Sequence, residues 1–222
     1  MAYFDEDLKK FFKELTKNNH KAWFDENRSR YEQVVKKPFK NFITDLVTAI
    51  QSFDPYIQIE AKQAIFRINR DVRFSKDKQP YKTNVSAVLS RFNKKEEFPC
   101  YYISLDAEKM MIGGGLYFLS PENLFKVRQE ILYNEEHFKK VINQTAFRNE
   151  FGDIQGKKNK ILKPPFKETV ESLPILLNKQ YYFMKSHPVE IAFREDLVGF
   201  VSDKMKKASK VNAFMRLALE IE

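Results

Sequence analysis

Three stretches in the middle of the chain have strand-like composition, and only short polar connections separate them. They span residues 85–92, 100–105 and 110–118. Strands joined by short connections pair antiparallel, because a parallel pair needs a crossover of about a dozen residues or more. This feature limits the fold more than any other in the sequence. It predicts a central, mainly antiparallel sheet.

Helical patterns precede these strands. Leu8, Phe11 and Leu15 fall on one face of a first helix, and a second pattern runs over residues 23–35. Pro38 either starts a third helix or kinks a longer one, because proline fits the first helical turn but breaks a helix interior. The apolar stripe of this third helix is the most regular in the chain: Phe39, Phe42, Ile43, Leu46, Val47 and Ile50.

More elements follow the central strands. Ser120 and Pro121 have the pattern of a helix cap and a first helical residue, and a further helix is predicted around residues 138–142. Residues 181–186 suit a strand and residues 197–215 a long closing helix, whereas residues 152–165 read as a loop, either a flap or a surface connection. We therefore predict one α+β domain over residues 1–222, its sheet packed against N-terminal helices and a long C-terminal helix.

The cysteine and histidine content limits which disulfides and metal sites the chain can form. A single cysteine, Cys100, forms no intramolecular disulfide, and the first residues lack a secretory pattern, so a cytoplasmic location without a membrane partner is expected. Cys100 lies in an apolar strand, where a buried and inert thiol is expected. His20, His137 and His187 are far apart without ligand spacing, so no metal site is predicted.

Positive charge is concentrated in one region. Residues 62–92 carry eight positive and two negative charges, which is most of the net charge of +9. Such local excess raises the electrostatic potential at one place on the surface and attracts anions there. A solvated basic face is the alternative.

Within this region, residues 64–74 alternate with period two and predict a half-buried strand. Alternation places Arg67, Asp71 and Arg73 opposite Phe66, Ile68 and Phe74, so that Asp71 would orient both guanidinium groups, and a turn with two lysines follows. Either these residues form a site for an anion or phosphoester, or they form an ion-pair network that ties the strand to a helix. The predicted ligand-binding residues are Arg67, Arg70, Asp71, Arg73, Lys76, Asp77, Lys78 and Tyr81.

Three functions fit this pattern. The first is non-catalytic binding of a phosphate-bearing small molecule or another anion, with no cofactor or protein partner indicated. The second is an enzyme of phosphoester or nucleotide chemistry, with Asp71 or Asp77 as base. The third is sequence-independent nucleic-acid binding through phosphate contacts and stacking on exposed Phe74 and Tyr81.

Two further clusters are candidates for the same site. Residues 113–115 are consecutive glycines within a strand pattern, which predicts a bulge or tight strand approach, or else the floor of a pocket beside the helix at Ser120. A polar-aromatic cluster near the amino terminus caps helices or lines the pocket. Its members are Asn18, Asn19, Trp23, Asn27 and Arg28.

The basic run resembles the signature of an uncharacterised, mainly bacterial family, domain of unknown function family 2461. Its pattern is Arg-x-x-Arg-Asp-x-Arg-Phe followed by Asp/Asn-Lys and a tyrosine. The amino-terminal residues 12–31 and the glycine stretch 113–116 are also similar to that family, so the resemblance spans essentially the whole chain. It implies a single domain and the place of the site, but no reaction, cofactor or partner. The matching signature residues are Arg67, Arg70, Asp71, Arg73, Phe74, Asp77, Lys78 and Tyr81.

Overall fold

Four strands pair in chain order and form an antiparallel sheet in the computed structural model, which describes the backbone of residues 2–220 and the side chains of residues 2–219. They are β1 (Val85–Leu89), β2 (Cys100–Leu105), β3 (Lys109–Leu116) and β4 (Tyr181–Pro188). The predicted antiparallel sheet is confirmed. Residues 1, 221 and 222 of the predicted domain lie outside the described range.

Helices pack against this sheet and give the predicted α+β fold. None of the helices that the structure describes is both long and apolar enough to cross a membrane. They are α1 (Glu6–Lys17), α2 (Lys21–Glu26), α3 (Arg28–Tyr31), α4 (Lys37–Gln51), α5 (Ala61–Ala64), α6 (Pro121–Tyr133), α7 (Glu135–Ile142), α8 (Thr145–Phe151), α9 (Leu197–Lys206) and α10 (Ser209–Glu220).

The inner face of the sheet forms the core. On β2, Tyr101, Ile103 and Leu105 are fully buried, and α9 and α10 contact β3 while α4 contacts β1. The apolar stripe of α4 is buried as its spacing predicts. Burying side chains of this size stabilises the fold by about 1.5–3 kcal/mol each. The core therefore lies on one side of the sheet only.

Two helical predictions need correction. The pattern over residues 23–35 is divided between α2, α3 and a π-helical turn at Glu32–Lys36, and Pro38 lies in the first turn of α4 directly after that turn. The predicted closing helix is two helices, because Lys207 and Ala208 donate backbone hydrogen bonds three residues back and the Ser209 hydroxyl donates to the Lys206 carbonyl. Ser120 caps α6 as predicted, since its hydroxyl accepts from the Asn123 amide.

The predicted strand over residues 64–74 is wrong. Its first residue ends α5, and beyond it pairing with residues 81–87 is limited to two isolated bridges, Ile65 to Ala87 and Asn69 to Tyr81. The Arg70 amide donates to the Pro80 carbonyl, but Pro80 has no N–H to return, so the ladder stops there. Residues 65–87 thus form an irregular hairpin whose second arm continues into β1, and residues 71–80 are its loop.

The predicted loop over residues 152–165 contains no regular helix or strand. Two isolated bridges, Gln155 to Tyr182 and Lys158 to Asn178, hold it against the start of β4. This arrangement matches a surface connection.

Candidate functional site

The outer face of the sheet, opposite the core, bears a cleft of about 470 Å³. Its floor is built mainly from the alternate strand residues that point away from the core, and several of these are small. We call it the sheet cleft. Its lining residues are Phe66, Lys82, Asn84, Ser86, Val88, Lys94, Lys95, Glu96, Phe98, Cys100, Tyr102, Gly114, Gly115, Tyr117, Phe118, Tyr182 and Met184.

Glycines of β3 leave part of the cleft floor without side chains. A Cβ atom on Gly113, Gly114 or Gly115 would lie 2.3 Å from a backbone carbonyl oxygen of a neighbouring strand, and Gly115 has φ +97°. Only glycine fits such a close approach at that dihedral. Pairing on both sides of the triplet is continuous, so the predicted bulge is wrong, whereas the tight approach and the pocket floor are both found.

The helix N-terminus beside this floor already has an anion. Glu97 accepts hydrogen bonds from the Ser120 amide at 2.7 Å and from Asn123 Nδ2 at 2.8 Å. Burial opposes ionisation of Glu97, but these hydrogen bonds outweigh it and lower its pKa. The carboxylate of Glu97 therefore occupies the position at α6 where an external anion was predicted.

One wall of the cleft is cationic. The ammonium groups of Lys82 and Lys94 lie 4.9 and 5.5 Å from the centre of the Phe66 ring. Lys94 also donates to the carbonyls of Gln63 and Ile65, at 2.6 and 2.9 Å. Within the described part of the chain neither ammonium group has a carboxylate partner. Lys82 is held at the cleft by a ring, which attracts a cation weakly without neutralising it.

Burial is the main cause of a lowered pKa at Lys82, and the positive charges of Arg67 and Lys94 lower it further. The pKa of Lys94 is also lowered, again chiefly by burial. The acidic member of the lining, Glu96, accepts hydrogen bonds from Arg91 Nη2 at 2.7 Å and from the Phe92 amide at 3.1 Å. The cationic wall thus keeps its positive potential.

The other wall is aromatic. The Tyr117 and Tyr182 rings lie 5.3 Å apart with a 58° tilt, and the Phe118 ring stands edge-on to Tyr117 at 5.0 Å. Tyr117 is 49% exposed and Phe118 is 73% exposed, although most aromatic side chains of this chain are buried in the core. Exposed apolar surface that clusters at a concave site commonly marks a binding surface.

Most of the charged residues predicted to bind a ligand instead pair within the hairpin loop. Asp71 accepts from Arg73 Nε and Nη2 at 3.0 and 2.7 Å, and Asp77 accepts from Arg70 Nη1 at 2.5 Å. Lys78 donates to the Val72 carbonyl. Arg67 influences Asp71 only by longer-range attraction, so Asp71 orients one guanidinium group rather than the predicted two.

None of the eight predicted ligand-binding residues lines the sheet cleft. Arg67 comes nearest, since its charge lowers the pKa of Lys82, and Lys76 is exposed on the loop. Ligand binding by these eight residues stays a prediction. Phe74 is 94% exposed, contrary to its predicted place on the apolar face, because the hairpin is irregular at that point.

Tyr81 is buried rather than exposed, which corrects its predicted stacking role. Its ring stacks on Phe24 with centres 4.0 Å apart and planes 19° apart, and its backbone is bonded by Asn19. The other members of the amino-terminal cluster serve their own helices, as the capping interpretation predicts: Asn18 donates to Glu14 and Asn27 to Trp23. None of that cluster lines the cleft.

Cys100 lies on the cleft floor, where its thiol donates to the Gly115 carbonyl at 3.4 Å. Burial raises its pKa to about 12, so the thiol stays protonated at neutral pH. Among the described residues, no group of three or more histidine, cysteine or acidic side chains could hold a metal ion.

A family model described as "Conserved hypothetical protein (DUF2461)" matches residues 7–214 of the 222. The chain belongs to the DUF2461 family. No curated protein matches the sequence. In this DUF2461 structure, two segments that carry the resemblance meet in space, because Asn19 and Phe24 both contact Tyr81. A third, the glycine stretch, contributes Gly114 and Gly115 to the cleft floor.

Sequence reasoning missed most of the residues that line the DUF2461 cleft. Lys82 ends the basic run, but Lys94 comes from the connection between β1 and β2 and Tyr182 from a distant strand. The small residues on the outward parity of β1 to β3 were the available signal, since an uncovered sheet face with small side chains leaves room for a ligand.

Proposed function

We propose that the sheet cleft binds a phosphate-bearing or other anionic small molecule, with Lys82, Lys94 and Arg67 supplying the positive charge. One observation carries this proposal. The half-buried ammonium of Lys82 lacks a carboxylate partner in the described residues, and two further cations lie close enough to lower its pKa.

Such an arrangement is costly without a ligand. A cation partly removed from water loses hydration, and neighbouring cations repel it. An anion bound at the cleft would offset both effects and raise the pKa of Lys82 again. The Arg70–Asp77 ion pair closes the loop of the hairpin on which Arg67 and Lys82 lie.

Binding without catalysis is the form of the proposal that the geometry supports best. The pKa of Asp71 is lowered chiefly by its hydrogen bonds from Arg73, and that of Asp77 by the Gln79 amide and Arg70. Carboxylates held ionised in this way are weak bases. Both lie outside the cleft lining.

Nucleic-acid binding at the hairpin loop is a second candidate, favoured by Phe74. Its exposed ring lies 5.9 Å from the Arg73 guanidinium, which offers stacking beside positive charge. This alternative predicts affinity that falls steeply with salt and that depends on Phe74.

The test is calorimetric titration with phosphate, pyrophosphate and ribose 5-phosphate, using wild type, Lys82→Gln and Lys76→Gln. The two variants lose the same charge, but one changes the cleft wall and the other the exposed loop. We expect Lys82→Gln to weaken binding about tenfold, in line with a charge-assisted contact, and Lys76→Gln to have little effect. Binding that depends on Lys76 and not on Lys82 would move the site to the loop, and absence of any binding would reject the proposal.

A further inference from the structure

We infer that the ligand of the sheet cleft is a nucleotide, with its phosphate at the cationic wall and its base on the aromatic wall. This inference rests on the proposed function and adds the class of ligand. It explains why the cleft contains two walls of different chemistry.

The two walls lie on opposite sides of the floor. Phe66 and Lys82 belong to the hairpin that continues into β1, whereas Tyr182 belongs to β4 and Tyr117 follows β3. β1 and β4 are separated by two strands, so the floor between them is about 14 Å wide at the usual strand spacing. A ligand that touches both walls therefore needs an anionic end and a planar end, joined by a spacer.

The aromatic wall suits a flat ring. Tyr117 and Tyr182 contact each other while Tyr117 keeps about half of its surface open to solvent. Stacking on such side chains stabilises a bound base, and it tolerates any base because every base has a π-face. An aliphatic anion would leave this wall in contact with water.

The floor adds polar groups between the walls. Asn84, Ser86 and Tyr102 line it and present amide and hydroxyl groups, which can donate to and accept from the edge of a base or a ribose hydroxyl. A cleft of about 470 Å³ also falls within the range of roughly 300–1,000 Å³ found for small-molecule sites. Aromatic surface, scattered polar groups and a cationic end together match a nucleoside phosphate.

The same chemistry occurs in a free mononucleotide and in one unit of a single-stranded nucleic acid. The experiment compares the four ribonucleoside monophosphates, ribose 5-phosphate and a ten-nucleotide single strand by calorimetric titration at two salt concentrations. The variants are Tyr117→Ala, Tyr117→Phe and Tyr133→Ala. Tyr133 provides a control, because it is also an exposed tyrosine but does not line the cleft.

We expect at least one mononucleotide to bind about tenfold more tightly than ribose 5-phosphate, the difference being the stacked base. Tyr117→Ala should remove that difference without changing ribose 5-phosphate binding, while Tyr117→Phe and Tyr133→Ala keep it. The single strand could bind with the same dependence on Tyr117 while mononucleotides do not bind. That result would support the inference and would show that the bound nucleotide is one unit of a polymer.

Equal affinity for mononucleotides and ribose 5-phosphate, unaffected by Tyr117→Ala, would overturn the inference. The proposed anion site would survive that result provided Lys82→Gln still weakened both ligands. If wild type binds none of these anions, both the anion site and the nucleotide inference are rejected. Failure of the inference alone is therefore distinguishable from failure of the proposed function.

Discussion

The side-chain amide of Asn19 binds both backbone polar groups of Tyr81, accepting from its N–H and donating to its carbonyl, each at 3.0 Å. Tyr81 forms a bridge with Asn69 in which the flanking residues, Arg70 and Lys82, make the cross-strand hydrogen bonds. The polar groups of Tyr81 therefore point away from that partner, and Asn19 takes the place of a further strand. This contact fixes the hairpin arm next to Lys82.

Asn19→Ala should destabilise the protein, because it leaves the N–H and carbonyl of Tyr81 without partners. We expect the free energy of unfolding in urea to fall by about 1–3 kcal/mol. Asn143→Ala, at an exposed asparagine that ends α7, should change it little. Equal stability of the two variants would show that water replaces the amide of Asn19 at no cost.

Two substitutions of Tyr81 distinguish a structural role of its ring from a binding role of its hydroxyl. Tyr81→Phe keeps the ring stacked on Phe24 and should preserve both stability and anion affinity, whereas Tyr81→Ala should lower the free energy of unfolding by about 3–5 kcal/mol. Urea unfolding and phosphate titration of both variants measure this. A stable Tyr81→Phe variant that no longer binds anions would instead place the hydroxyl in the site.

As pH rises, anion affinity should begin to fall at a lower pH than is usual for a site built on lysine. The pKa of Lys82 lies below its ordinary value of 10.5, so its ammonium loses its proton earlier as pH rises, and affinity falls through that lowered pKa. Sulfate is the suitable probe because its own charge is constant over this range. Lys82→Arg should move the loss of sulfate affinity to higher pH, since a guanidinium stays charged. An unchanged pH profile would show that Lys82 does not contact the anion.

His187 should make stability depend on pH. Its pKa is lowered by burial first and by Lys204 next, while Glu150 opposes the shift from 3.7 Å. Because the unfolded chain then takes up the proton first, the free energy of unfolding falls as pH decreases through the ordinary value of 6.5 toward the lowered one.

The measurement is urea unfolding between about pH 7.5 and 5.5, where histidine titrates. His187→Gln should flatten the pH dependence, and His137→Gln, at an exposed histidine of α7, is the control for removing a histidine elsewhere. A slope that persists in His187→Gln would assign the effect to another group.

Local patterns in the sequence determined much of the fold. The three central stretches predicted strands that pair antiparallel, the apolar stripe of α4 predicted its buried face, and Ser120 marked the start of α6. These features follow from contacts within a few residues, or from a period that one buried face imposes. The strand predicted from the alternation of residues 64–74 was wrong, because Pro80 interrupts the pairing that this strand would need.

Only the tertiary structure decided where the candidate site lies. The sequence determined that positive charge concentrates between residues 62 and 92 and that three glycines interrupt a strand, but those patterns do not show which charges neutralise one another. Folding pairs Arg70 and Arg73 with acids in their own loop and leaves Lys82 beside Lys94 on an uncovered sheet face. The physical reason is that potential and concavity depend on contacts between residues distant in the chain, which local periodicity does not specify.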